Sequence, residues 1–462
     1  MLIAASGYQY GGRRIDRATV LSQVIDRLPS LQEVVWIDDA DATETHVTHR
    51  FWRDLVTADH TWAADELPFN HPLWVLFSSG TTGVPKGIVH GHGGVVLEHL
   101  KTLTLHADLR PGEKLFVVGT TSWVVWNMLV SGLLRGATIV LLDGNPAHPD
   151  IGQVWKVAAD HKVAMLGIGA AYVHSSMRAD IHPGHDHDLS GLRMVQVTGS
   201  PLAPEAYQWV YDAVGSVWLA SVSGGTDIAG IFLGGAPAEP VRRGRLQPPA
   251  LVWRQRHGTR TETPSLERQG SWWSPFRCRQ CRSISGTIPT APDIGTATFP
   301  RTGVWRHGDL VEFDHDGTSV IVGRSDSTLN RNGIRMGPAD LYRIVESMPE
   351  VLEALVVGVE EPGGYYMPLF VQLMPDIEPE AVATKIRDTI RIALSPRYVP
   401  DDIIAVSRIP HTRTGKKLEV PVKRLLLGDD LNQVVDPGSV DDISALAQIH
   451  AHAAARREVE VR

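Results

Sequence analysis

Through the first half of the chain, apolar runs of strand length alternate with stretches of helical spacing. Lys114–Gly119, Thr138–Leu142, Val163–Ile168 and Met194–Thr198 read as strands, and Asp150–Asp160 and Pro204–Val214 as helices between them. Such alternation predicts an α/β architecture with a parallel or mixed sheet. Leu73-Trp74-Val75-Leu76-Phe77 reads as a buried strand. Toward the C-terminus the pattern changes. Leu352–Val359 is strand-like, and Val382, Ile386, Ile390 and Leu394 then recur at one-turn spacing, the apolar face of an amphipathic helix. This predicts a second, smaller α+β unit that begins near Asp326.

The 462 residues leave room for two or three domains. A net charge of −8 and a pI near 6.2 give no basic footprint, so nucleic acid is not an expected partner. Met1–Gly7 lacks the charged and apolar regions of a secretion signal and no run reaches membrane-spanning length, so a cytoplasmic protein with no membrane partner is expected. Cys278 and Cys281 form a lone Cys-Arg-Gln-Cys, with no second pair to complete a zinc site.

The candidate chemistry begins at residues 78–87, Ser-Ser-Gly-Thr-Thr-Gly-Val-Pro-Lys-Gly. A loop so rich in glycines and hydroxyls turns backbone N–H groups and hydroxyls toward one anion, and Lys86 adds a cation, which suits a polyphosphate. It is not a Walker loop, because the terminal Lys-Ser/Thr pair is missing. Further motifs follow: Gly199-Ser200-Pro201-Leu202 after an apolar strand, Ser223-Gly224-Gly225-Thr226-Asp227, Trp305-Arg306-His307-Gly308-Asp309, Gly323-Arg324-Ser325-Asp326, Gly333-Ile334-Arg335-Met336-Gly337 and Thr412-Arg413-Thr414-Gly415-Lys416-Lys417. In this order they resemble the AMP-forming acyl-CoA synthetase and adenylate-forming ligase superfamily.

The resemblance implies a large N-terminal adenylate-forming domain of mixed sheets and helices, here residues 1–325 and incomplete, and a small mobile C-terminal lid, residues 326–462. It implies that Ser79, Gly80, Thr81, Thr82, Gly83 and Lys86 hold the phosphates of ATP, and that Gly199, Ser200 and Pro201 pack on adenine. Thr226 would touch the α-phosphate. Asp227 would hold Mg²⁺, where the family more often has the longer Glu. Asp309 would accept from the ribose hydroxyls, Arg324 and Arg335 would contact the nucleotide, and Gly333 and Arg397 coenzyme A. Asp326 would be the hinge, and Lys416 the adenylation lysine with Lys417 its neighbour. The electrostatic logic is that a carboxylate attacking a phosphate brings two anions together, and Mg²⁺, Lys86 and Lys416 compensate them.

Val89–Gly94, Trp123–Asn127, Gly144–Pro146, Ser327–Asn330 and Lys417–Arg424 narrow the resemblance to the acetoacetyl-CoA synthetase family, over residues 7–435. The implied reaction activates acetoacetate with ATP and transfers it to coenzyme A, leaving AMP and pyrophosphate. Trp123 and Gly224 would line the acyl pocket. Acetate-activating relatives carry Trp at the position of Gly224, so glycine would make room for a longer acid. Size alone leaves other short acids open, and a decayed remnant that only binds nucleotide is the alternative of another class. His90, His92 and His99, and separately His182, His185 and His187, could be drawn as zinc ligands. The first set belongs to a family segment and the second to a polar loop, so neither is expected to hold a metal.

Two features depart from the family pattern. The chain opens at Tyr8–Gly12, which resembles an internal family segment, so an N-terminal truncation is expected to leave apolar strand faces exposed. Residues 251–297 lose periodicity and gather arginines, tryptophans and both cysteines. Read one base out of frame with GC-leaning codons, Ser271–Pro275 becomes Glu-Leu-Val-Val-Thr, a family-like strand. This stretch is therefore read as frameshifted, and expected to be irregular and poorly packed.

Overall fold

The computed structural model describes residues 1–37, 47–56, 63–78, 86–251, 256–258, 269–274, 305–324, 329–331, 334–336, 338–361, 364–413 and 415–460. Its largest sheet is five-stranded. The order across it is Trp218–Ser221, Met194–Thr198, Met165–Gly169, Lys114–Val117 and Thr138–Val140, with every neighbouring pair parallel. A parallel strand buried on both faces carries a near-continuous apolar run. Met165, Leu166 and Ile168 meet that demand, and all are buried. Helices Gln153–Asp160, Ala170–Arg178 and Pro204–Trp209 alternate with the strands. Trp155 is fully buried among them. Its Nε1 donates to Ser176 Oγ at 3.2 Å, and its ring meets Trp209 edge-on at 6.1 Å.

From Lys114–Val117 the chain moves outward to Thr138–Val140, then returns to the other side of Lys114–Val117 for Met165–Gly169. That reversal is a topological switch point, where open α/β sheets place ligands beyond the carboxyl ends of their strands.

Beside this sheet, Pro72–Ser78 and Lys86–Gly91 form an antiparallel hairpin whose last pair is Ser78 with Lys86. The helix His92–Lys101 follows and runs on as a wider π turn, Thr102–His106. The expectation of a buried strand at 73–77 is corrected. Leu73, Val75 and Phe77 alternate along one face and are 37%, 48% and 65% exposed. An alternating face buries only if something covers it.

A second sheet joins Arg256–Gly258, Gln269–Ser274, Trp305–Phe313 and Ser319–Arg324. The irregular backbone expected over 251–297 does not hold for 256–258 and 269–274, which pair as antiparallel strands. The remainder of that stretch beyond Leu251, both cysteines included, lies outside the described residues.

The C-terminal unit is built on Val351–Val356, Pro368–Leu373 and Asp402–Ala405. Val382, Ile386 and Ile390 of the helix Pro379–Ala393 are buried, as their spacing predicts. A second cluster packs helices Glu419–Leu427 and Ile443–Glu460 onto the sheet through Val422, Leu425, Leu446 and Ile449. The two units touch where Arg178 Nη1 donates to the Leu352 carbonyl at 3.0 Å.

Trp155 fills the centre of the main core, so Trp155→Ala is expected to lower unfolding free energy by about 3–5 kcal/mol in urea titration. A loss below about 1 kcal/mol would mean that the helix layer repacks and that this indole does not hold it.

Candidate active site

Three segments meet at the carboxyl edge of the parallel sheet. Thr198 ends its strand, and Gly199 then turns with φ +94°, a backbone state that glycine adopts without strain. A Cβ at Gly199 would lie 3.7 Å from the indole of Trp123, so this ring covers the turn. Thr198 Oγ1 donates to the Val222 carbonyl at 3.1 Å, which sets the Gly199 turn beside the strand Ser223–Gly225. The next residues, Thr226 and Asp227, are half-buried. The far side of the Gly199 loop is tied down as well, since the Ala203 N–H donates to His174 Nε2 at 3.4 Å. Burial, with the charges of Arg178 and Lys417 in support, pushes His174 down to about 4, so it accepts as a neutral ring.

Three more buried histidines hold the segment from Asp227 to Gly235. His90 Nε2 lies 3.2 Å from the Asp227 carbonyl, and its Nδ1 takes the Trp74 indole N–H at 3.2 Å. His99 Nε2 lies 2.8 Å from the Ala229 carbonyl and its Nδ1 2.6 Å from Ser131 Oγ. His106 Nδ1 lies 2.7 Å from the Gly235 carbonyl, while its Nε2 takes the Leu251 N–H at 3.0 Å. A carbonyl can only accept, so the nitrogen facing it carries the proton. Trp74 and Leu251 can only donate, so each ring they meet is neutral. All three pKa values are depressed, chiefly by burial, and His99 falls to about 4. Both ring nitrogens of His90 and His99 are thus engaged in hydrogen bonds.

Beneath the same segment lies a buried ion pair. Lys101 Nζ is 2.7 Å from Glu98 Oε1, with both side chains under 10% exposed. A Cβ at Gly230 would meet Glu98 Oε1 at 2.2 Å, so glycine lets the chain close over the carboxylate.

Gly224 is a correction. A Cβ there would sit 2.2 Å from the Gly230 carbonyl oxygen in the paired strand. In this conformation a side chain at Gly224 would meet backbone rather than open space, so a larger residue needs the paired strand to shift. The volume argument for an acyl pocket does not apply to it.

The AMP-binding enzyme family matches residues 4–250, and the AMP-binding enzyme C-terminal domain family residues 343–416. Acetoacetyl-coenzyme A synthetase of Rhizobium meliloti is 38% identical over 97% of this chain and 71% of its own length. Acetoacetyl-CoA synthetase of Danio rerio is 34% identical over 96% of this chain and 68% of its own. The chain belongs to the acetoacetyl-CoA synthetase family of AMP-binding enzymes. The solved acetoacetyl-CoA synthetase of Streptomyces lividans superposes with a TM-score of 0.90 at 43% identity, covering 98% of this chain and 70% of that one. An anthranilate CoA ligase with bound anthranoyl-AMP shares the fold, with a TM-score of 0.76 at 21% identity.

Among the family motifs, the structure sets Trp123 over the Gly199 turn, and Thr226–Asp227 follow the strand Ser223–Gly225, which starts one residue past the Thr198–Val222 bond. Asp309 is buried in Trp305–Phe313 and stands directly across the ladder from Arg324. Arg335 pairs with Asn330 in a short hairpin. Arg397 is on the 3-10 turn Pro396–Tyr398, and Lys416 is exposed on a turn of the C-terminal unit. Ser79, Gly80, Thr81, Thr82, Gly83, Asp326 and Gly333 lie outside the described residues, and Lys86 is placed only as the first residue of its strand. The sequence reading missed the histidine anchors. The one available signal was the seven-residue step from His99 to His106, which is two helical turns and hence one face.

Two outcomes test this site. A histidine with a depressed folded pKa stays neutral when the unfolded chain takes up protons. Its stabilisation is therefore complete above about pH 6.5 and is lost as pH falls through the folded value, about 4 for His99 and His174, at up to about 1.4 kcal/mol per unit for each titrating group. Urea unfolding at pH 7, 6 and 5 should show that decline, and His99→Leu should flatten part of it. An unchanged free energy from pH 7 to 5 would rule out buried neutral histidines.

Gly224→Ala should cost about 1–3 kcal/mol by overpacking the hairpin and slow all acids alike. A shift toward shorter acids at unchanged stability would restore the pocket role.

Proposed function

We propose that this chain activates acetoacetate with ATP, forming acetoacetyl-AMP and pyrophosphate, and then passes the acyl group to coenzyme A with release of AMP. Family membership supports the reaction. The observation that carries the assignment to this edge of the sheet is the Gly199 turn lying under the Trp123 indole, with Thr198 tied to Val222 just ahead of the Ser223–Asp227 motif.

In the first step a carboxylate oxygen of acetoacetate forms a bond to the α-phosphorus, and the bond to the pyrophosphate oxygen breaks. In the second, the thiol sulfur bonds to the acyl carbon, AMP leaves with the former carboxylate oxygen, and the thiol proton goes to solvent. Gly199–Pro201 hold the adenine, with the indole of Trp123 walling the space beside them. Asp309 and Arg324, cross-strand partners, hold the ribose and phosphate side.

The residues present fit a magnesium ion. His90 bonds to the backbone carbonyl of Asp227 and not to its carboxylate, and hard oxygen donors are what Mg²⁺ selects. Asp227 would hold the ion with Thr226 beside the α-phosphate. When bound, the ion offsets the charge that gathers on the phosphates.

Lys416 supplies the mobile positive charge. It sits where the Thr412 N–H donates to its carbonyl at 2.8 Å and its own N–H donates to Thr412 Oγ1 at 3.1 Å. Rotation of the C-terminal unit about Asp326 would bring Lys416 in for adenylation and remove it for thioester formation. The proposed compartment is the cytoplasm, where ATP and coenzyme A are both at hand. Among the described residues no helix is long and apolar enough to cross a membrane.

The test is Lys416→Ala. Acetoacetate-dependent pyrophosphate exchange should fall by about 100-fold or more, while supplied acetoacetyl-AMP is still converted to the thioester. Near-normal exchange in that variant would remove Lys416 from the chemistry.

A further inference from the structure

The turn that carries Lys416 is closed at its base by an antiparallel bridge between His411 and Lys417. Lys416 is exposed, whereas the side chain next to it is only 18% exposed. Neighbouring residues of extended chain face opposite ways, so one lysine points out and the next points in.

The inward lysine is fully engaged. Lys417 Nζ donates to Glu346 Oε1 at 2.5 Å and to the Ala354 carbonyl at 2.8 Å. It also lies 3.9 Å from the centre of the Tyr342 ring. The opposite leg is held in the same manner, with His411 Nε2 2.8 Å from Glu353 Oε1. Glu346 follows the helix Pro338–Val345, and Glu353 is on the strand Val351–Val356. Two carboxylates from two elements therefore grip the two legs of one turn. Withdrawing an ammonium from water is costly unless it is paired and hydrogen-bonded, and this one is both. Solubility alone would leave it outside.

We propose that Lys417 is a positioning residue for adenylation, fixing through Glu346 and Ala354 the leg of the turn from which Lys416 is presented. The proposal rests on Lys416 as the adenylation lysine. Lys417 itself does not reach substrate, because its ammonium is spent inside the small unit. A misplacement of a reacting group by about 1 Å can cost on the order of 100-fold in rate, so a loosened turn should register strongly in adenylation and weakly in the step that does not use Lys416.

The experiment compares Lys417→Met, Glu346→Gln and Lys417→Arg in the full chain by hydrogen exchange and by the two partial reactions. In Lys417→Met the amides of Thr412 and Lys416, which close the turn, should exchange at least about tenfold faster, while those of Val351–Val356 and Pro368–Leu373 keep their rates. Pyrophosphate exchange should drop by about 10- to 100-fold, with thioester formation from supplied acyl-adenylate within about twofold of the parent. Glu346→Gln should move both readouts in the same direction, and Lys417→Arg should recover part of the loss. Unchanged exchange at Thr412 and Lys416 would overturn the proposal. So would faster exchange across the whole sheet with equal loss of both partial reactions, the mark of a merely structural lysine. Retained adenylation in Lys416→Ala would instead bring down the reading of Lys416, and the exchange rates of the turn would still decide whether Lys417 holds it.

Discussion

The segment from Asp227 to Gly235 is held by the hydrogen bonds its carbonyls accept from buried, neutral imidazoles. His90, His99 and His106 rise from one continuous stretch of strand and helix and reach Asp227, Ala229 and Gly235. Each bond is worth only about 0.5–1.5 kcal/mol net, but a buried partner left unsatisfied costs about 1–3 kcal/mol, so the arrangement resists partial loss. Protonation would convert the accepting nitrogen of His90 or His106 into a donor facing another donor. Neutrality is thus a structural requirement, met by desolvation, and His90 fixes the backbone at Asp227 while leaving its carboxylate out of that bond.

The same device recurs beyond Gly199, where neutral His174 accepts from Ala203 and steadies the loop. His174 lies on the helix whose last residue, Arg178, reaches the Leu352 carbonyl in the C-terminal unit. Glu353, next in that strand, is held below the usual carboxylate range: burial works against this, and the His411 hydrogen bond and the charges of Lys417 and Arg178 outweigh it. One helix therefore stands between the Gly199 loop and the base of the Lys416 turn.

Much of this was legible in the sequence. Met165–Gly169 and Met194–Thr198 announce themselves because strands buried on both faces need unbroken apolar runs, and Val382, Ile386 and Ile390 because a helix buries one side. The motif order pointed to the acetoacetyl-CoA synthetase family because phosphate chemistry restricts residue types. The misses have physical causes. The histidine anchors depend on partners far along the chain, which no local pattern shows. Gly224 was read through the volume of an absent side chain, whereas its Cβ direction, which local sequence does not show, meets the Gly230 carbonyl. Leu73–Phe77 carries an apolar run whose burial depends on what lies over it. Lys417 resembled any second lysine of a basic turn until Glu346 and Ala354 appeared beside it.

The central claim is that this site makes an acyl-adenylate, and the fate of one oxygen tests it most directly. Acetoacetate labelled with ¹⁸O in its carboxylate should, on complete conversion with ATP and coenzyme A, leave AMP that carries one heavy oxygen and pyrophosphate that carries none. Unlabelled AMP, or label in the pyrophosphate, would contradict attack of the carboxylate on the α-phosphorus and with it the account of Thr226, Asp227 and Lys416.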